Sequence, residues 1–305
     1  MSLSRCILKL NILLAILSSL WAVSMEARSP ATTPPPQRGI LLVTFGSSYP
    51  EAQVAFERID AMARKRWPDT PIYWAYTSDF IRKKLLKRGE RHDAPIAAMA
   101  QMHDAGIREI AVQSLHVIAG VEYEEIVSAV DAFQSTNLAF ERVTIGRPLL
   151  ASAEDVYDVA DLILAEAAES RAEDEALVLM GHGSGEHPAD LTYLAAASVF
   201  QKRDATAFLA TVEGHPTFED LLAQLQQAGV QRAALMPFMS VAGDHARNDL
   251  AGEEPDSWKS QLEAAGIECS VILRGMGEMP ALVDQWLAHL QIALDELAEL
   301  DEDAL

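Results

Sequence analysis

From residue 39 to about residue 297, short apolar runs alternate with amphipathic stretches, and the whole alternation occurs twice. In the first pass the apolar runs are 40–45, 72–76, 109–115 and 142–145; in the second they are 176–180, 207–211, 232–238 and 268–273. Between them lie helical patterns at 51–66, where Val54, Ile59 and Met62 share a side, and at 79–87, 95–104, 123–133 and 154–169. A long pattern at 279–297 closes the chain. Strands that are apolar on both faces and separated by helices are buried in parallel sheets. The pattern therefore predicts an α/β protein made of two similar Rossmann-like halves, their parallel sheets facing a central cleft.

The two passes also share wording. Leu41-Leu42-Val43-Thr44-Phe45-Gly46-Ser47 is similar to Leu177-Val178-Leu179-Met180-Gly181-His182-Gly183-Ser184 with one residue of slack. Ile118-Ala119-Gly120 follows the third strand of its half as Val241-Ala242-Gly243 follows the third strand of the other. The expected division is an N-terminal half at 39–150 and a C-terminal half at 151–305. Both Gly-Ser turns fall at carboxyl ends of strands, where open α/β sheets bind ligands.

Ahead of the alternation, Arg5 and Lys9 precede an apolar run at 10–23, and the small residues Ala22, Ser24 and Ala27 follow it. A basic start, short apolar middle and small-residue end describe a secretory signal peptide, expected at 1–28, with an uncleaved anchor as the alternative. The run is short for a membrane span. The expectation is a periplasmic protein with no stable membrane span after cleavage. Residues 29–38 hold Pro30, Pro34, Pro35 and Pro36 and read as an extended tether. Of two cysteines, Cys6 falls in the leader, which leaves Cys269 alone. Thiolate zinc sites and iron–sulfur clusters need several cysteines. Any metal chemistry must then use His, Asp and Glu.

Asp and Glu outnumber Lys and Arg by 45 to 24, a formal charge of −21. Removing residues 1–28 takes away three bases and one acid and moves it to −23. Nucleic acid is excluded as a partner, because its binding needs clustered cations for counterion release. A nucleotide cofactor is not expected either, since the chain has no Gly-x-x-x-x-Gly-Lys phosphate loop.

Among eight histidines, His182 and His245 are set apart by position. His182 follows the 176–180 run between two glycines, Glu213 follows the 207–211 run, and His245 follows the 232–238 run. The intervals are 31 and 32 residues, about one strand–helix unit each, so successive strands would deliver His182, Glu213 and His245 to one rim. Two imidazoles and a carboxylate with open positions suit an exchangeable first-row divalent metal. His215 and Asp244, in the same loops, are alternative ligands, and Asp244 is also a candidate to orient His245. His92 and His103 read as solvated, His187 as a helix-start residue, and His289 as packed or solvated. Ser184 sits directly between glycines, so Gly-x-Ser-x-Gly is not satisfied and a serine hydrolase is disfavoured.

Three strings carry a family resemblance. They are residues 43–49 (Val-Thr-Phe-Gly-Ser-Ser-Tyr), residues 115–123 (Leu-His-Val-Ile-Ala-Gly-Val-Glu-Tyr), and residues 236–249 with Asp256-Ser257-Trp258-Lys259 beyond. Together the chain from about 39 to 297 resembles the anaerobic cobalt chelatases, ATP-independent class II enzymes that insert cobalt into sirohydrochlorin. The resemblance implies a chelatase-like fold of two Rossmann-like halves. It also implies a lyase that uses His182, Glu213 and His245 as metal ligands, with His182 as principal proton acceptor and Glu213 assisting. Co²⁺ is then the metal substrate, Fe²⁺ being a metal the same donors accept, and sirohydrochlorin the tetrapyrrole partner. The export signal departs from a family that normally works in the cytoplasm.

So acidic a chain repels a polycarboxylate at long range, which requires local cations at the cleft; Arg147, Arg247 and Arg274 are candidates. A periplasmic metal or tetrapyrrole carrier, haem included, would use the same donors without turnover. The sequence does not say whether a spare histidine, His103 or His116, holds a haem. The amphipathic last helix is a candidate contact in a homo-oligomer.

Overall fold

The computed structural model describes residues 37–302 apart from Glu186. The expected signal peptide and nearly all of the tether lie outside the described residues. The first half holds β1 (Gln37–Thr44), β2 (Ile72–Tyr76), β3 (Ile107–Ser114) and β4 (Arg142–Gly146), all parallel, in the order β2-β1-β3-β4. The second holds β5 (Ala176–Gly181), β6 (Ala207–Thr211), β7 (Arg232–Pro237) and β8 (Glu268–Val271), all parallel, in the order β6-β5-β7-β8. The two orders are the same order, so the repetition seen in the sequence is a repetition of topology. The α/β expectation of two Rossmann-like halves is met.

The helices are α1 (Gln53–Arg66), α2 (Asp79–Leu86), α3 (Pro95–Asp104), α4 (Val121–Gln134), α5 (Ala153–Ala168), α6 (Asp190–Arg203), α7 (Phe218–Gln227), α8 (Trp258–Ala264) and α9 (Pro280–Glu302). Their starts are chemically marked. Ser78 caps α2 by accepting from the Ile81 amide, Ser152 caps α5 by accepting from the Asp155 amide, and Thr217 with Asp220 closes a capping box on α7. Among the described residues no helix is long and apolar enough to cross a membrane.

Alternation along each strand divides the core in three. Ile40 and Leu42 of β1 join Leu177 and Leu179 of β5 and the α9 residues Leu282, Trp286 and Leu290 in a cluster that runs through both halves. The intervening residues face outward: Leu41 and Val43 pack with Met99 and Ile126, and Val178 and Met180 with Leu221 and Leu262. The helices do not stay with the sheet that precedes them in the chain. α9, last in the sequence, lies on β3 and β4 of the first sheet, where Thr144 Oγ1 donates to the Ala293 carbonyl at 2.7 Å. α5 lies against α6 of the second half. The apolar face of α9, read as a possible contact between copies, is thus used within the chain: Leu282, Val283, Trp286, Leu287 and Leu290 are all buried.

In each sheet the chain leaves the first strand to one side and returns to the third on the other. The loops after β1 and β3 therefore diverge, as do those after β5 and β7, and each pair opens a crevice at its strands' carboxyl ends. The four loops surround one cleft.

Candidate active site

The cleft, ≈ 370 Å³, is lined by Phe45, Ser47 and Tyr49 after β1, by His116, Ile118 and Glu122 after β3, by His182 and Gly183 after β5, and by Phe238, Val241 and His245 after β7. Phe80, Ile81 and Lys84 of α2, Tyr193 of α6 and Asp244 line it as well. Gly183 explains how His182 reaches inward. Its φ is +86°, and a Cβ there would run into the Glu213 carbonyl, so only glycine permits the turn that presents the preceding imidazole.

His182 and His245 meet in the cleft with ring centroids 4.6 Å apart and planes at 88°. His182 Nδ1 lies 2.9 Å from the Gly183 carbonyl oxygen, which can only accept, so Nδ1 carries the proton. His245 Nδ1 donates to Asp249 Oδ2 at 2.5 Å. Both Nε2 atoms are consequently left with free lone pairs, the state a metal ligand requires. Asp249 belongs to the one-turn π-helix Ala246–Leu250, which begins directly after His245. The orienting carboxylate is Asp249, not Asp244. Asp244 instead accepts from Tyr49 Oη at 2.5 Å, a bond between the halves that Asn248 Nδ2 supports at 3.2 Å to the same phenol. That bond to a carboxylate raises the Tyr49 pKa.

Glu213 is placed differently from the two imidazoles. Its amide donates to the His182 carbonyl at 2.8 Å, so the two loops are joined through the main chain. Its side chain, however, is exposed and does not line the cleft. The reason is topological: β6 is the edge strand beyond β5 and lies off the β5/β7 crevice. His215, the alternative from that loop, is exposed as well. Among the described residues no three His, Cys, Asp or Glu side chains are already gathered as a metal cage.

Of the other histidines, His187 accepts from the Ala189 amide at 3.1 Å, in keeping with a helix-start residue, and four more have structural partners. His289 is buried in α9, with Nε2 3.2 Å from Asp155 and Nδ1 3.3 Å from the Arg147 carbonyl. His92, expected to be solvated, stacks on Tyr76 at 4.2 Å. His103 sets its ring edge on Phe140. His116 is held at Nδ1 by Ser114 Oγ at 3.0 Å, and burial pulls its pKa down to about 4. Of the three arginines expected at the cleft, Arg147 lies 3.8 Å from Asp155 and Arg274 pairs with Glu166 at 2.9 Å, so both hold structural partners. Arg247 stands over the Tyr49 ring, 5.8 Å from its centre.

Sequence reasoning missed Phe45, Tyr49, Lys84 and Glu122. The internal repeat carried the signal for two of them: with the halves aligned, Phe45 occupies the position of His182, and Glu122 that of His245. The cleft is pseudo-symmetric in backbone and asymmetric in donors: His182 and His245, whose rings meet, are on the C-terminal side, and the buried His116 is on the other.

A cleft between two parallel-sheet halves, with two metal-ready imidazoles on one wall and apolar and aromatic surface opposite, defines a metal chelatase. Residues 38–295 match the family described as cobalt chelatase (CbiK), and the chain belongs to that family. It is 39% identical over 264 residues to the sirohydrochlorin cobaltochelatase CbiKC of Nitratidesulfovibrio vulgaris, covering 87% of this chain and 93% of that one. It is 37% identical over 268 residues to the sirohydrochlorin cobaltochelatase of Salmonella typhimurium, covering 86% and 98%. Among solved structures, SirB from Bacillus subtilis with Fe³⁺ superposes with a TM-score of 0.57 at 16% identity, covering 88% of this chain and 98% of that one, a likeness of fold.

Proposed function

We propose that the protein is a sirohydrochlorin cobaltochelatase that inserts Co²⁺ into the macrocycle without a nucleotide. The observation that carries this reading is the facing pair His182 and His245, each with Nδ1 engaged and Nε2 free, inside a cleft that also offers the aromatic faces of Phe45 and Tyr49. The names and coverage of the two curated relatives support the substrate.

The metal substrate arrives on His182 and His245, with Glu213 as third ligand once its carboxylate swings in from the rim; its main chain is already tied to that of His182. Pyrrole nitrogens then replace the protein donors one at a time. Each imidazole that gives up the metal presents a free Nε2 lone pair, so it can accept a pyrrole proton as the metal leaves. His182 is the principal acceptor and Glu213 assists. Two protons must be taken for each divalent ion inserted, and two bases beside the metal suffice. The same donor set accepts Fe²⁺, with availability selecting between the metals.

The deciding experiment is steady-state insertion of Co²⁺ and of Fe²⁺ into sirohydrochlorin, followed by the macrocycle's absorption. Many equivalents of metallated product per protein are expected, and a single equivalent would show a carrier instead. The reading includes export: the basic and apolar start at 1–28 supports a periplasmic site of action. Cell fractionation with mass analysis of the mature N-terminus tests it, and full-length protein in the cytoplasm would refute it.

A further inference from the structure

In a chain with nearly twice as many acids as bases, residues 79–91 hold six bases (Arg82, Lys83, Lys84, Lys87, Arg88 and Arg91) against Asp79 and Glu90. Several are engaged. Arg82 and Lys83 pair with Asp79 at 3.4 and 2.5 Å, Arg88 donates to the Ser48 carbonyl at 2.6 Å, and Arg91 pairs with Asp93 at 3.3 Å. Lys84 has no acidic partner among the described residues. It lines the cleft, with Nζ 5.7 Å from the centre of the Tyr49 ring and 6.0 Å from that of Phe80.

Arg247 approaches the same tyrosine from the other half. Its Cζ lies 5.8 Å from the ring centre, its Nε donates to the Ala242 carbonyl at 3.2 Å, and it too has no acidic partner among the described residues. Tyr49 is fixed between the halves by its bond to Asp244. Phe80, whose ring Lys84 also approaches, leaves 71% of its surface exposed. Lys84 in the cleft and Arg247 just outside its lining thus both approach the Tyr49 ring without an ion-pair partner among the described residues. The carboxylates Glu122 and Asp244 line the same cleft, and Asp244 is engaged by Tyr49. In a protein this acidic, two such cations, one from each half, mark a place where negative charge comes from outside.

We infer that Lys84 and Arg247 form a two-point seat for carboxylates of the macrocycle, with the rings of Tyr49 and Phe80 as the apolar surface on which it lies. This rests on the proposed chelatase reading and names residues that would select a polycarboxylate tetrapyrrole over an uncharged one. The two electrostatic contributions respond oppositely to salt. Screening relieves repulsion by the negative chain, which strengthens binding, and it weakens contact with the two cations.

The test is titration of the full-length wild type, Lys84→Gln, Arg247→Gln and the control Lys65→Gln with metal-free sirohydrochlorin and with uroporphyrin I, a stable polycarboxylate macrocycle, at low and high salt. Lys65 is exposed on α1 and does not line the cleft. Loss of one charge-assisted contact should raise Kd about five- to tenfold in each cleft variant and flatten its salt dependence. Lys65→Gln should bind and respond to salt as wild type does. The seat is overturned if both cleft variants bind within about twofold of wild type, if Lys65→Gln loses as much as they do, or if both cleft variants keep the salt dependence of wild type. Cobalt turnover by the wild type reports on the chelatase reading, and uroporphyrin binding reports on the seat, so the two can fail separately.

Discussion

His182 and His245 stand nearly perpendicular with ring centroids 4.6 Å apart, although the residues follow strands β5 and β7 and lie 63 positions apart. Replacing either by Ala removes one of the two facing imidazoles of the proposed metal site. Each variant should lose at least about a hundredfold in cobalt insertion, and the double variant should lose little more than either single, because ligands of one ion act as a unit. Circular dichroism should show the fold intact, as both side chains are only half-buried.

Asp249 fixes the tautomer and direction of His245 through the 2.5 Å bond to Nδ1. Asp249→Asn keeps the shape and loses the charge. Cobalt affinity, read from the metal's visible absorption in the absence of tetrapyrrole, should fall about 10- to 100-fold. An unchanged affinity would mean that the ring is oriented by its loop alone.

Glu213 makes a sharper case because its carboxylate rests outside the cleft. If it closes on the metal, Glu213→Gln should weaken cobalt binding and slow insertion by about tenfold, while His182 and His245 still give measurable metal binding. Metal binding and turnover both equal to wild type would remove Glu213 from the ligand set.

His116 gives a pH dependence of stability. Buried in the folded protein it has a pKa of about 4, against about 6.5 when unfolded, so between these values the unfolded chain binds more protons. Its contribution is present above pH 6.5, declines as pH falls, and is fully lost below pH 4. The span amounts to about 3 kcal/mol. Urea unfolding of the wild type should show this decline, and His116→Gln should show a shallower one over the same window.

Trp286 is fully buried on α9, and its Nε1 donates to the His116 carbonyl at 3.2 Å. Trp286→Ala should cost about 3–5 kcal/mol in chemical denaturation. Because α9 covers the first sheet, hydrogen exchange should rise first in β3 and β4 rather than in the second half that precedes α9 in sequence.

Much of this was legible in the residues. The strands at 72–76 and 207–211 and the helix at 95–104 have the predicted bounds, because apolar runs of strand length and a proline at a helix start act locally. The repeat of β2-β1-β3-β4 as β6-β5-β7-β8 follows from the doubled pattern. The placing of His182 and His245 followed from glycine turns at strand ends. What escaped was everything that depends on strand order. Glu213 has the same spacing as its neighbours, but β6 is an edge strand, and spacing carries no information about edges.

By itself, the sequence determined the α/β class, the doubling and the strand-end loops that carry the chemistry, since periodicity, turn residues and short motifs act over a few residues. Only the tertiary structure decided which carboxylate orients His245, that α9 returns to the first sheet, and that Lys84 and Arg247 both approach the ring of Tyr49. Those contacts join residues up to nearly two hundred positions apart, and they exist only once both sheets have packed against the shared core.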